Sequence, residues 1–265
     1  MMEKVRSIAQ LQEMSAEIRA LRRGFLTNFF PDPVKHGLWI AKGDCFAERI
    51  GSTLFIMRQS PSFANVFFCA AQDSFPEDLS GFLKRHEGQT LLFDIVGRDV
   101  QCGPMVTLFK EKGCREATSL VRMTRRTAPV EDAPDDGVQK ATEADVKAVS
   151  ALLHTHFDEQ TEQLPYDEQL LDLVHRGQIL LCNDMAGFLI YEKTPGTLYL
   201  RYWFTHPDHR NQGIGSRLIR RFLQEGKDTA RQILWVIRSN ENAIVRYEHY
   251  GFAPENMYDF VMKYN

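Results

Sequence analysis

The sequence predicts a mixed α/β (α+β) protein built as two similar halves, each a sheet flanked by helices. Three observations carry that prediction. Apolar residues spaced three and four apart alternate with short runs rich in aromatic and β-branched residues. The segment "APVEDAPDDGVQ" (128–139) has two prolines, a glycine, four acidic residues and almost nothing to bury, and it splits the 265-residue chain nearly in half. The halves also echo each other. "QTLLFDIVGR" is like "RQILWVIRS", "LFKEKGCREATSLVRM" is like "RYEHYGFAPENMYDFVM", and Phe109 stands four residues before Gly113 as Tyr247 stands four before Gly251.

Taken in order, Ile8, Leu11, Met14, Ile18, Leu21 and Phe25 predict an amphipathic helix. Strands are predicted at "STLFIMRQ" (52–59), "ANVFFCAA" (64–71) and "TLLFDIVG" (90–97), with a helix at "PEDLSGFLKRHEG" (76–88). After the linker, Thr142 with Asp145 three residues on fits a capping box. Val146, Val149, Leu152, Leu153, His156 and Phe157 then give a helix one apolar face, and "YDEQLLDLVHRG" (166–177) is a second helix ended by Gly177. Residues 178–193 predict a hairpin with Asn183 and Asp184 near its turn. "TLYLRYWFT" (197–205) reads as a strand, "GIGSRLIRRFLQEG" (213–226) as a helix and "QILWVIRS" (232–239) as a strand. "NENAIVRYEHYGF" (240–252) is a helix and turn, and "MYDFVMKY" (257–264) closes as a strand. The expected division is a first domain at 1–127, a linker at 128–137 and a second domain at 138–265.

Bulk chemistry excludes several classes. A hydrophobic content of 43%, a charged content of 25% and a formal net charge of -3 belong to an ordinary soluble chain with no pull towards nucleic acid or acidic membranes. The opening residues carry charge throughout and predict no signal peptide. No run of about 18 apolar residues is present to span a bilayer. Cys45, Cys69, Cys102, Cys114 and Cys182 are odd in number and scattered, which predicts no disulfide framework, no zinc site and a reducing, cytoplasmic setting.

The chemistry concentrates in "HRNQGIGS" (209–216), between a strand and a helix. A helix start offers unpaired N–H groups and a positive dipole, which welcome an anion. Glycine lets the backbone approach that anion closely. A Rossmann turn needs glycine where Leu218 stands, and a P-loop is absent, which leaves Arg210-x-x-Gly213-x-Gly215. The alternative is a tight turn that caps the helix and binds nothing.

That pattern resembles the pyrophosphate loop of the GCN5-related N-acetyltransferases, the GNAT family. A second element agrees in the right order: Asn240, Ala243, Tyr247, Gly251 and Phe252 match Asn-x-x-Ala-x-x-x-Tyr-x-x-x-Gly-Phe. The resemblance covers about residues 138–265. It implies two tandem GNAT folds, each a mixed, mostly antiparallel sheet flanked by helices, with a first half that is a degenerate copy carrying "SFPEDLSGF" at the corner where the glycines should be. It further implies acetyl-CoA as co-substrate, held by Trp203, Phe204, Thr205, Arg210, Asn211, Gln212, Gly213, Ile214, Gly215, Ser216, Asn240, Ala243 and Tyr247, and direct transfer to a primary amine.

Such transfer needs a neutral amine, an N–H donor where charge develops on the thioester oxygen, and an acid for the departing thiolate. By resemblance, main chain near Phe204 or Thr205 is the donor and Tyr247 the acid. Tyr247 also shares a helix face with Ala243 and Ile244, where it could simply pack. Family members that act on ribosomal-protein N-termini carry a glutamate where this chain has Trp235, which argues against that substrate. The remaining carboxylates near the expected cleft are Glu192, Asp158 and Glu159, and Glu192 is the expected base. His154, His156 and Asp158 do not make a metal site, since residues two apart on a helix diverge. Arg217, Arg220 and Arg221 form a solvated face or touch the cofactor's 3′-phosphate. The acceptor is a small-molecule or peptide amine. The first half walls the acceptor site or forms a homodimer contact. Two rivals stand beside this reading: a non-catalytic acyl-CoA-binding scaffold, and an aminoacyl or peptidyl transferase, against which the Gly-x-Gly loop argues.

Overall fold

The computed structural model describes residues 2–128, 137–183 and 185–265. Most of the expected linker, and Asp184 at the expected hairpin turn, lie outside the described residues. Strands and helices follow similar, though not identical, orders in two passes. The first pass runs β1 (Glu3–Lys4), α1 (Ile8–Ala20), β2 (Phe25–Thr27), α2 (Pro33–Lys42), β3 (Cys45–Ile50), β4 (Thr53–Gln59), β5 (Ala64–Ala71), α3 (Phe75–Arg85), β6 (Leu91–Gly97), α4 (Asp99–Glu111) and β7 (Arg115–Arg126). The second runs β8 (Val138–Lys140), α5 (Val146–His156), α6 (Glu159–Glu162), α7 (Asp167–His175), β9 (Ile179–Cys182), β10 (Gly187–Thr194), β11 (Thr197–Thr205), α8 (Ile214–Glu225), β12 (Arg231–Ile237), α9 (Glu241–His249) and β13 (Ala253–Tyr264).

Local chemistry sets these boundaries. The first helix stops at Ala20 and does not reach Phe25, because Arg22 and Gly24 adopt left-handed φ of 55° and 72°. Asp32 caps α2 by accepting from Val34 N and Lys35 N, Pro33 sits at its first turn, and Gly43 ends it at φ 80°. Thr142 and Asp145 close the expected capping box, with Thr142 N donating to Asp145 Oδ2 at 2.7 Å. None of the five cysteines is in a disulfide.

The chain divides into two units, Met1–Ser119 with Met257–Asn265, and Leu120–Asn256. In the first, the strand order is β1-β3-β4-β5-β6-β13, antiparallel except for β5 and β6. In the second it is β7-β12-β11-β10-β9-β8, antiparallel except for β11 and β12. This differs from a single cut at 128–137. Residues 120–126 of β7 pair with β12 in the second unit, and residues 258–264 of β13 pair with β6 in the first. Strand pairing, not chain order, decides membership. The echo noted in the sequence has a geometric counterpart in the turns after α4 and α9. Cys114 N donates to Phe109 O at 3.0 Å and Phe252 N to Tyr247 O at 3.1 Å, with Gly113 at φ 89° and Gly251 at φ 83°.

Each core sits against the strands of its own unit. Phe55, Phe75, Phe82, Phe93 and Phe109 fill the first, with Phe55 and Phe82 stacked at 4.0 Å. Val149, Leu153 and Leu170 from α5 and α7 pack on Ile179, Phe188 and Phe204 in the second.

Candidate active site

In the second unit β11 and β12 pair in parallel only from Thr197 with Arg231 to Leu200 with Leu234. Beyond that point the strands part, and a cavity of about 1170 Å³ opens between Arg201–Thr205 on one side and Trp235–Ile237 on the other. The alternation of the β10–β11 ladder tells which groups face the gap. His206 N donates to Ala186 O, so the Phe204 N–H also points to β10, while those of Trp203 and Thr205 point across the slot.

The two glycines stand at one end of this slot and do different jobs. Gly213 caps α8 at φ 74°, a left-handed conformation, and a Cβ there would meet nothing within 4 Å. Gly215 has ordinary backbone angles, but a Cβ on it would lie 3.2 Å from Trp203 Cζ2 and 3.3 Å from Thr205 Oγ1. The first glycine makes the turn and the second lets α8 lie close on β11. The first intrahelical bond runs from Arg217 N to Gly213 O, so the N–H groups of Gly213, Ile214, Gly215 and Ser216 have no backbone partner among the described residues. They form an open cradle at the positive end of a twelve-residue helix.

The other expected residues mostly converge on the same cavity. Arg210, Asn211, Trp203, Phe204 and Thr205 line it, as do Asn240, Ala243 and Tyr247 from α9. Asn240 Oδ1 caps α9 by accepting from Ala243 N at 3.1 Å, which leaves its amide NH₂ to donate elsewhere. Tyr247 packs 5.5 Å from the Trp203 ring, and burial, with the charge of Glu162 adding to it, pushes its phenol above the ordinary range. Its hydroxyl is therefore protonated at neutral pH. Trp203 Nε1 is buried without a partner among the described residues, an open donor beside the slot.

Two expected residues lie elsewhere. Gln212 is turned back, its Nε2 near Asp208 O at 3.5 Å, and does not line the cavity. Glu192 sits on β10 opposite Tyr199, half exposed, in an ion pair with Arg201 at 3.3 Å, and does not line it either. The carboxylate that does is Glu162, at the end of the short helix α6 that Asp158 opens by accepting from Gln160 N. Burial raises its pKa to about 7, with the charge of Asp158 adding to the rise and a backbone hydrogen bond opposing it. Tyr202 OH donates to Glu162 O at 3.0 Å and ties this turn to β11. His156 stacks on Phe204 at 4.7 Å. Arg221 is held by Glu225 and Arg217 reaches Asn183, so neither lines the slot.

The strand–loop–helix corner, the parted strands and the second motif on α9 carry one signature. Residues 146–252 match the profile of the acetyltransferase (GNAT) family. This stretch is a GNAT acetyltransferase domain. No curated protein matches the chain. Among solved structures, a GCN5-related N-acetyltransferase from Sphaerobacter thermophilus is similar with TM-score 0.59 and 13% identity, over 80% of this chain and 76% of that one. A tandem GNAT protein from the clavulanic acid biosynthesis pathway is similar over 99% of this chain and 98% of that one, at 12% identity and TM-score 0.57. A GNAT-family acetyltransferase from Colwellia psychrerythraea covers 100% of both at 12% identity and TM-score 0.55. The fold therefore extends over both halves.

The corner of the first unit that corresponds to the GNAT glycine loop is closed. Pro76 in the first turn of α3 has no N–H to offer, and Asp78 Oδ2 is already taken by Ser52 N, Thr53 Oγ1 and Ser74 Oγ at 2.9–3.1 Å. The parting of β5 and β6, which pair only at Ala64–Leu91 and Asn65–Leu92, is filled by the chain itself. Strand β2 pairs with the far end of β5, and Asn28 bridges the gap, accepting from Phe68 N at 2.6 Å and donating to Asp94 O at 3.0 Å. Asn28→Ala removes the hydrogen bond that the side chain makes to each of these main-chain groups. It is expected to lower stability by about 2–3 kcal/mol in urea denaturation and to leave ligand binding by the second unit unchanged.

Proposed function

We propose that the second unit transfers an acyl group, acetyl in the first instance, from acyl-CoA to a primary amine, with Glu162 as base and Tyr247 as acid. The open N–H cradle at 213–216, set at the end of a slot with Glu162 and Tyr247 on its walls, carries this reading. The pyrophosphate belongs on the cradle, with Arg210 beside it. The pantetheine arm would run along the unpaired edge of β11, and the N–H groups of Trp203 and Thr205 face the slot where the thioester oxygen gains charge.

The balance is simple. An ammonium loses one proton to Glu162, the neutral amine attacks the carbonyl carbon, a C–N bond forms and the C–S bond breaks. Glu162 passes that proton to solvent and then takes the second nitrogen proton by the same route. Tyr247 gives its proton to the departing thiolate and regains one from solvent, so that one proton is released overall. The products are the amide and free CoA thiol.

The test is amine-dependent release of thiol from acetyl-CoA. Tyr247→Phe is expected to lower kcat by about 10²-fold while acetyl-CoA binding, read by calorimetry, stays within a few-fold. A variant with wild-type kcat removes the acid role, and a wild type that binds acetyl-CoA but releases no thiol with any amine removes the transferase reading.

A further inference from the structure

The charges on the cavity wall are lopsided. Glu162 is the one carboxylate among its described lining residues, against the guanidinium groups of Arg201, Arg210 and Arg246. Arg210 lies by the cradle, where phosphate accounts for it. Arg201 does not. It is the extra residue of a β-bulge: Ile190 stands opposite Tyr202 and Tyr191 opposite Leu200, so nothing on β10 faces Arg201 in register. The bulge sits where β11 and β12 begin to part, at the opposite end of the lining strand segment from the glycine loop.

The wall around Arg201 is a built surface. Its guanidinium lies 5.8 Å from the Tyr199 ring centroid, and the Tyr199 hydroxyl accepts from Trp235 Nε1 at 2.6 Å. Trp235 lines the cavity, with the Arg122 guanidinium 5.9 Å from its ring. Arg201 meets Glu192 through Nε alone at 3.3 Å, and that glutamate is half exposed, a contact of the kind worth about 0–1 kcal/mol. A carboxylate delivered inside the cavity, in a fork with two N–H donors, is the stronger partner.

Resting on the proposed transfer, we infer that the acceptor is a small amine that also carries an anionic group, an α- or β-amino acid in the simplest case, with its carboxylate on Arg201 and its amine at Glu162. A polycation fits poorly. After one ammonium reached Glu162, the others would face guanidinium groups. Planar side chains gain further from Trp235 and Tyr199.

The experiment compares matched acceptors at saturating acetyl-CoA: an amino acid, its amide and the decarboxylated amine, for glycine, β-alanine and phenylalanine, each with wild type, Arg201→Gln and Arg201→Lys. The expected result is thiol release favouring the carboxylates by about 10-fold or more in kcat/KM. Arg201→Gln should raise their KM about 10–100-fold with kcat within about three-fold, and leave KM for the amides unmoved. Arg201→Lys should recover part of the loss, and acetyl-CoA binding by calorimetry should match wild type in both variants. Equal use of amides and carboxylates, or an Arg201→Gln variant that keeps the carboxylate preference, overturns the inference and leaves the transferase reading standing. No thiol release with any acceptor, although acetyl-CoA binds, overturns both.

Discussion

Gly213→Trp abolishes acetyl-CoA binding: calorimetry is expected to show a Kd at least about 100-fold above wild type. Two costs act together. A residue with a Cβ at φ 74° suffers backbone strain of about 1–2 kcal/mol, alone worth roughly ten-fold. The side chain then projects into space where a Cβ meets nothing within 4 Å, the volume the phosphates need. Gly213→Ala separates the two, since it brings the strain without the bulk, and should weaken binding by about ten-fold or less. Gly215→Ala fails for another reason. Its Cβ would crowd Trp203 and Thr205 and lift α8 from β11, so its first effect is on melting temperature. Near-wild-type binding by Gly213→Trp would show that the loop is a helix cap and no more.

That loop was readable because its signal is local. A strand of aromatic and β-branched residues, a Gly-x-Gly and an amphipathic run of Leu218, Ile219, Phe222 and Leu223 each report on neighbours in sequence. The same locality explains the accurate reading of Thr197–Thr205 and of the Thr142 cap. Helix α2 carried a start and stop signal, Asp32-Pro33 and Gly43, but only ten residues between them and little periodicity to attract notice. Other features have no local signature. That β13 pairs with β6, joining Tyr258 to Gly97 across more than half the chain, depends on which edge is open after folding. The filling of the first unit's gap by Asn28 likewise depends on where β2 comes to rest. Glu192 looked suitable as a base because it ends a strand near the expected cleft, yet its side chain pairs with Arg201 and does not line the cavity. Glu162 stood four residues beyond Asp158 in a helix of one turn, and the property that marks it, loss of solvent around a carboxylate, exists only in the folded protein.

Glu162→Gln is expected to lower kcat by about 10²–10⁴-fold with little change in acetyl-CoA affinity, and its pH dependence gives the role an independent signature. A base must be ionised to act. With a pKa of about 7, Glu162 makes kcat/KM for the wild type fall about ten-fold per pH unit below 7, and Glu162→Gln should lose that limb. Stability must move in the opposite sense. The folded pKa lies above the unfolded carboxylate value of about 4.3, so between these values the native state binds the extra proton, and stability falls as pH rises through that window. Above pH 7 the cost reaches about 3–4 kcal/mol, from a shift of roughly 2.7 pH units at about 1.36 kcal/mol each. Glutamine cannot ionise, so Glu162→Gln should be more stable than wild type at pH 8 and level with it near pH 4, read as melting temperature against pH. A variant that loses activity and also loses stability at pH 8 would mean that Glu162 is an ordinary structural carboxylate. A variant that loses activity while gaining stability at high pH identifies a group kept in an unfavourable place because the amine needs it there.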